Sequence, residues 1–137
     1  MSSPSTYDAF AARLAAFTGA TVVFENEDYE TEAQTPFVYV EIVGSTYSQD
    51  TFGAPQANMW LEQGITYLHV MTPNGTGSRA ARVLANDLLQ LFREQPIGEL
   101  FMPEMSIGAG EPGKDFANYF ALTATIEWQR RDITSIP

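Results

Sequence analysis

The chain predicts an α+β fold: a mostly antiparallel sheet with two helices packed on one face, plus long loop or hairpin excursions. Three observations carry this. Residues 119–128 alternate strictly, with Phe120, Leu122, Ala124, Ile126 and Trp128 on one side and Tyr119, Ala121, Thr123, Thr125 and Glu127 on the other. Residues 78–92 carry an apolar stripe of Ala81, Leu84, Leu88 and Leu91 or Phe92 opposite Arg82, Asn86, Asp87, Gln90 and Arg93. The elements run helix, strands, helix, strands, with no internal repeat and no domain boundary, so residues 1–137 read as a single domain.

Each element has a local reason. Phe10, Leu14 and Phe17 recur at the spacing of one buried helix face, which predicts a helix from Thr6 to Phe17. Ser5 with Asp8 fits a capping box, and Gly19 suits a C-terminal stop. The apolar run Thr21 to Phe24 follows, then the acidic stretch from Glu25 to Glu32, read as a solvated loop.

Pro36 opens a strand from Phe37 to Val43, with Val38, Val40 and Ile42 on one face. Gly44 to Asn58 is rich in Ser, Thr, Gln, Gly and Pro. It predicts a long loop or mobile hairpin carrying Phe52. The strand from Gly64 to Met71 pairs with the earlier one most simply antiparallel. After Pro96 comes a brief extended piece, Glu99 to Met102, then a loop from Gly108 to Gly113. A short tail from Arg130 to Pro137 follows the last strand.

Composition narrows the function classes. The 137 residues, 45% hydrophobic, can build one sizeable core. No apolar run approaches the ~18 residues of a membrane span, and residues 1–5 show no secretory signal pattern. Without cysteine there are no disulfides, thiolate metal sites or thiol nucleophiles. The net charge is -10, with seven Lys and Arg against 17 Asp and Glu. Gripping a phosphate backbone or an anionic membrane needs the opposite balance. An acidic surface lets a polyanion pass without sticking.

Motifs that suggest chemistry fall short of it. Gly75-Thr76-Gly77 lies between a strand and a helix. It lacks the third glycine of a dinucleotide fingerprint and the lysine of a phosphate loop, and no βαβ repeat surrounds it. The glycines suit a turn that needs positive φ. The carboxylates Glu25, Glu27, Asp28, Glu30 and Glu32 lack the central glycine and final glutamate of a calcium loop. His69, the only histidine, sits mid-strand on the face of Ile65, Tyr67 and Met71, where packing is the plainer role. No catalytic residue, metal ligand or cofactor site is expected.

Two features break local rules. Arg79 and Arg82 occupy the start of a helix, where the dipole disfavours cations. Either they meet carboxylates on a neighbouring chain or the helix tolerates them at a cost of a few tenths of a kcal/mol. Phe52 and Trp60 sit in or beside a polar stretch, as aromatics at a partner interface do.

The order of features resembles the phage tail terminator (tail completion) family of long-tailed phages and phage-like gene transfer particles. The matching pieces are the N-terminal helix, Val23-Phe24-Glu25-Asn26, the Pro-led strand Pro36 to Val40, the strand Gly64 to Val70 leading through Pro73 and Gly77 into Ala80 to Leu88, and the closing alternating strand. They span nearly the whole chain as patterns rather than invariant signatures. The resemblance implies a non-enzymatic structural virion protein, a homohexamer ring capping the head-proximal end of the tail tube. Such a ring ends tube polymerisation and provides the head-docking surface. Its implied partners are its own copies, the tail tube protein and the head-tail connector protein, with DNA passing through unbound. Its implied location is a virion tail or tail-like particle assembled in the host cytoplasm. On this reading Arg79, Arg82, Phe52 and Trp60 are candidate interface residues, and Glu25, Glu27, Asp28, Glu30 and Glu32 a candidate acidic channel or interface loop. The rivals are another head-tail joining or neck component, and a small anion- or nucleotide-binding module at the Gly75–Gly77 turn.

Overall fold

The computed structural model describes residues 3–27, 35–53, 57–73, 75, 77–95, 97, 100–112 and 119–133. Helix α1 spans Pro4–Leu14. Its cap is Ser3, whose Oγ accepts from the Thr6 amide at 3.3 Å, not the Ser5 and Asp8 pair that the sequence suggested. Pro4 in the first turn costs no helical bond, because its missing N–H would be an orphan there. The helix also stops earlier than expected. Ala16 and Phe17 donate to Arg13 and Leu14, three residues back, so the chain tightens and leaves the helix before Gly19.

Strand β1, Thr21–Phe24, pairs in parallel with the start of β2, Phe37–Gln49. Strand β3, Met59–Pro73, runs antiparallel to β2 from Phe37↔Met71 to Gln49↔Trp60, with a bulge between Gly44 and Thr46. Helix α2, Arg79–Gln90, leads to β4, Leu100–Pro112, and β5, Tyr119–Ile133. The sheet order is β1-β2-β3-β5-β4, and every pairing except β1 with β2 is antiparallel. The fold is therefore the α+β class that the alternation predicts.

One open choice is decided and two expectations need correction. Much of the polar stretch from Gly44 to Asn58 is strand: β2 runs on to Gln49 and β3 begins at Met59, so the hairpin alternative holds. The Gly108 loop is the end of β4, which continues as strand to Pro112; Gly113 lies outside the described residues. The expected tail from Arg130 is strand too, because β5 extends to Ile133 against Met59. In all three places backbone pairing holds the strand without an apolar alternation to announce it.

The core sits on one side of the sheet. Val38, Val40, Ile42, Leu68, Val70, Leu122, Ala124, Ile126 and Trp128 face α1 and α2, meeting Phe10, Leu14, Ala81, Ala85, Leu88 and Phe92. The Phe10 ring lies 5.4 Å from Phe92 and 6.4 Å from Trp128. Burying each such side chain contributes about 1.5–3 kcal/mol. A smaller cluster of Val23, Phe37, Met71, Tyr119 and Ala121 occupies one end of the opposite, helix-free face. No described helix is long and apolar enough to cross a membrane.

Candidate functional site

The β2–β3 hairpin extends past the end of β1 as an arm that β5 backs along all of β3, as far as Met59↔Ile133. Its tip is closed by Asp50 donating its amide to the Met59 carbonyl at 2.7 Å, and by the Met59 amide donating to Thr51 Oγ1 at 2.8 Å. Arg131 Nε braces it by donating to Asp50 Oδ2 at 3.0 Å. Phe52 sits at the tip, 93% exposed. Trp60 is not a loop residue: it lies in β3, half-buried, with its ring 5.3 Å from Tyr47 in an edge contact. Folding thus joins Trp60 to Tyr47, which sequence reading passed over as part of a polar loop.

Arg79 and Arg82 begin α2, and both are exposed. Ser78 precedes them without a side-chain cap, and Arg82 Nε donates to Ser78 Oγ at 3.4 Å. Gly75 and Gly77 have φ of +86° and +80°, a conformation that L side chains rarely adopt. These glycines serve turn geometry, as expected.

The acidic stretch divides. Glu27 Oε1 accepts from the Phe24 amide at 2.8 Å, and Glu25 Oε1 accepts from the Ile42 amide at 2.7 Å. Both carboxylates hold local backbone, Glu25 by plugging the β2 edge just past the last β1 pairing. Asp28, Glu30 and Glu32 lie outside the described residues. The described structure brings neither Glu25 nor Glu27 into an ion pair with Arg79 or Arg82.

Two polar clusters were missed by sequence reasoning. On the helix-free face His69, 5% exposed, is held through both ring nitrogens: Nδ1 lies 2.8 Å from Thr123 Oγ1 and Nε2 lies 2.5 Å from Glu41 Oε1. Tyr39 and Tyr67 stack against it at 6.0 and 6.1 Å. The hydroxyl, imidazole and carboxylate types of a hydrolytic relay are present, yet Thr123 and His69 lie side by side in mid-sheet as cross-strand partners. The arrangement pins β2, β3 and β5 together.

On the helix side Glu62 is fully buried. Its Oε2 accepts from the Ser3 amide and from Thr6 Oγ1, both at 2.9 Å, and Arg130 Nη1 lies 3.4 Å from its Oε1. A carboxylate under a helix N-terminus meets orphan donors and the positive end of the dipole. A signal for it existed. Glu62 shares the parity of Leu68 and Val70, so the same alternation turns it inward.

The helix-free face carries carboxylates. Glu104 and Glu127 are cross-strand partners, and Glu41 shares that face. A hydrogen bond and Coulomb repulsion from Glu104 raise the Glu127 carboxyl above its ordinary value. Among the described residues no group of three or more His, Asp or Glu could hold a metal ion.

What fold and surface define together is an α+β protein whose β2–β3 hairpin runs past the end of β1 and whose helix-free sheet face carries Glu41, Glu104 and Glu127. No protein-family model and no curated protein matches the chain. Among solved structures, 27 chains match. One of them, a protein whose designation states no activity, is 22% identical, covers 100% of this chain and 99% of its own, and superposes with a TM-score of 0.57. That likeness is one of fold.

Proposed function

We propose that the protein is a structural component of a phage tail or tail-like particle, a terminator whose copies form a homohexamer ring on the head-proximal end of the tail tube. The ring ends tube growth and offers the surface on which the head-tail connector docks. The observation that carries this reading is the β2–β3 arm with Phe52 at its tip, 93% exposed. An exposed aromatic at a hairpin tip suits contact with another chain, because interfaces are enriched in aromatic residues. Arg79 and Arg82, exposed at the start of α2, supply a second contact of opposite charge to the acidic surface. The helix-free face with Glu41, Glu104 and Glu127 suits a passage for DNA that must not stick.

Native mass spectrometry of the purified protein tests the reading, with a hexamer as the expected mass. Adding assembled tail tubes then asks whether the protein caps one end and fixes tube length in electron micrographs. Tubes that keep growing in its presence would refute it.

A further inference from the structure

We infer that copies of this chain join edge to edge: β2 of one copy pairs with β4 of the next, and Tyr47 of the first enters a groove beside β4 of the second. The inference rests on the ring reading above and names the contact that would close it.

Strand order is the first support. β1 pairs with β2 only over Phe37–Val40, so along the arm β2 is the outermost strand on its side and β4 the outermost on the other. There the order is β2-β3-β5-β4, with each neighbour antiparallel. Directions therefore alternate across the sheet, and β2 and β4 run opposite ways. A second copy placed alongside in the same orientation sets its β4 antiparallel to this β2. The alternation continues unbroken across the junction. The two edges differ, so the contact is head-to-tail, and a head-to-tail contact closes into a ring when its rotation permits.

The chemistry of the β2 edge agrees. Outermost strands are usually guarded by Lys, Pro or inward charge. The segment Val43-Gly44-Ser45-Thr46-Tyr47-Ser48-Gln49 has none of these, only the bulge between Gly44 and Thr46. It begins where Glu25 stops plugging the edge at Ile42. β4 carries one such guard, Pro103, and offers exposed Phe101, 58% accessible, at the level of Thr46, while exposed Val43 lies further along β2.

Side-chain fit selects a second copy as the occupant. Between the end of α2 and β4 lies a groove of about 370 Å³ lined by Phe92, Glu94, Gln95, Leu100, Met102 and Pro103. The registers Tyr47↔Glu62, Glu62↔Arg130 and Arg130↔Leu100 put Tyr47 and Leu100 at one level across the sheet, on the helix side. Edge pairing at that level carries Tyr47, 39% exposed and backed by Trp60, to the mouth of the neighbour's groove. Glu94 and Gln95 supply polar partners for its phenol where the groove opens.

The chain has no cysteine, so a disulfide test is clean. Val43 and Glu104 share one level and one face. The double variant V43C/E104C, oxidised under native conditions, is expected to give a covalent ladder in non-reducing gels, while either single variant stops at a dimer. Tyr47→Asp is expected to weaken assembly about tenfold or more, as loss of a packed aromatic anchor does, with an unchanged far-ultraviolet circular dichroism spectrum. A wild-type ring by native mass spectrometry with no ladder and no effect of Y47D overturns the edge contact and leaves the ring reading standing. A wild-type chain that stays monomeric at millimolar concentration without a ladder overturns both.

Discussion

Glu62 and Thr6 meet across 56 residues of sequence, Thr6 Oγ1 donating to Glu62 Oε2 at 2.9 Å in a site closed to solvent. The same oxygen accepts the Ser3 amide, so one carboxylate fastens the start of α1 to the middle strand of the sheet. Burying a charge costs several kcal/mol before its partners offset it, and removing one member of such a network leaves the others stranded. Glu62→Ala should therefore lose about 3 kcal/mol of stability in urea unfolding. Glu62→Gln, which still accepts hydrogen bonds, should lose about 1–2 kcal/mol.

Gly64 is held by contact rather than by its dihedral angles. A Cβ there would stand 2.3 Å from the Val43 carbonyl oxygen and 2.4 Å from the Trp128 ring. Backbone on one side and a core aromatic on the other leave no room to yield. Gly64→Ala should cost about 3 kcal/mol, the upper range for overpacking, and lower the thermal midpoint accordingly. An unchanged midpoint would mean that the sheet opens there at no cost.

Thr66 offers the opposite case. Its hydroxyl is buried toward the helices and finds no hydrogen-bond partner among the described residues. An unpaired buried hydroxyl costs roughly 1–3 kcal/mol. Thr66→Val keeps the shape and removes the polar atom, so it should raise stability by about 1 kcal/mol in chemical denaturation.

The Glu104–Glu127 pair predicts a pH dependence of definite sign. Glu127 is raised in the folded state, so the fold binds its proton more tightly than the unfolded chain does. The contribution is present below the ordinary carboxylate value and lost as pH rises through the raised one, where two like charges face each other. Glu127→Gln should flatten the stability profile across that window. A variant profile parallel to the wild type would show that the repulsion is screened away.

Phe52 contributes little to the monomer, because almost all of it meets solvent. Phe52→Ala should leave the thermal midpoint unchanged while impairing tube capping. Trp60→Ala should cost about 1–2 kcal/mol as well, since its ring packs on Tyr47. Charge reversal at Arg79 and Arg82 should lower assembly in light scattering with no loss of helix content. Normal tail lengths with the aromatic pair removed, or an unchanged mass with both arginines reversed, would each sink the role assigned to those residues.

Sequence by itself determined the two faces of the sheet. The parity of Val38, Val40 and Ile42, of Leu68 and Val70, and of Phe120 through Trp128 is local geometry, because successive side chains in a strand must alternate. It determined the α2 stripe and the turn glycines for the same reason, and it placed exposed Phe52 outside the core. Tertiary structure alone decided where the polar strands end. Thr46 to Gln49 and Gly110 to Pro112 are held by main-chain pairing, which leaves no apolar pattern in the side chains. It also decided which carboxylates do structural work. Glu25 looks like any other acidic residue until Ile42 arrives from 17 residues away, and the alternation that turns Glu62 inward does not say that Ser3, 59 residues away, will meet it. Pairing between distant segments depends on how the whole chain closes, so no short window of sequence contains it.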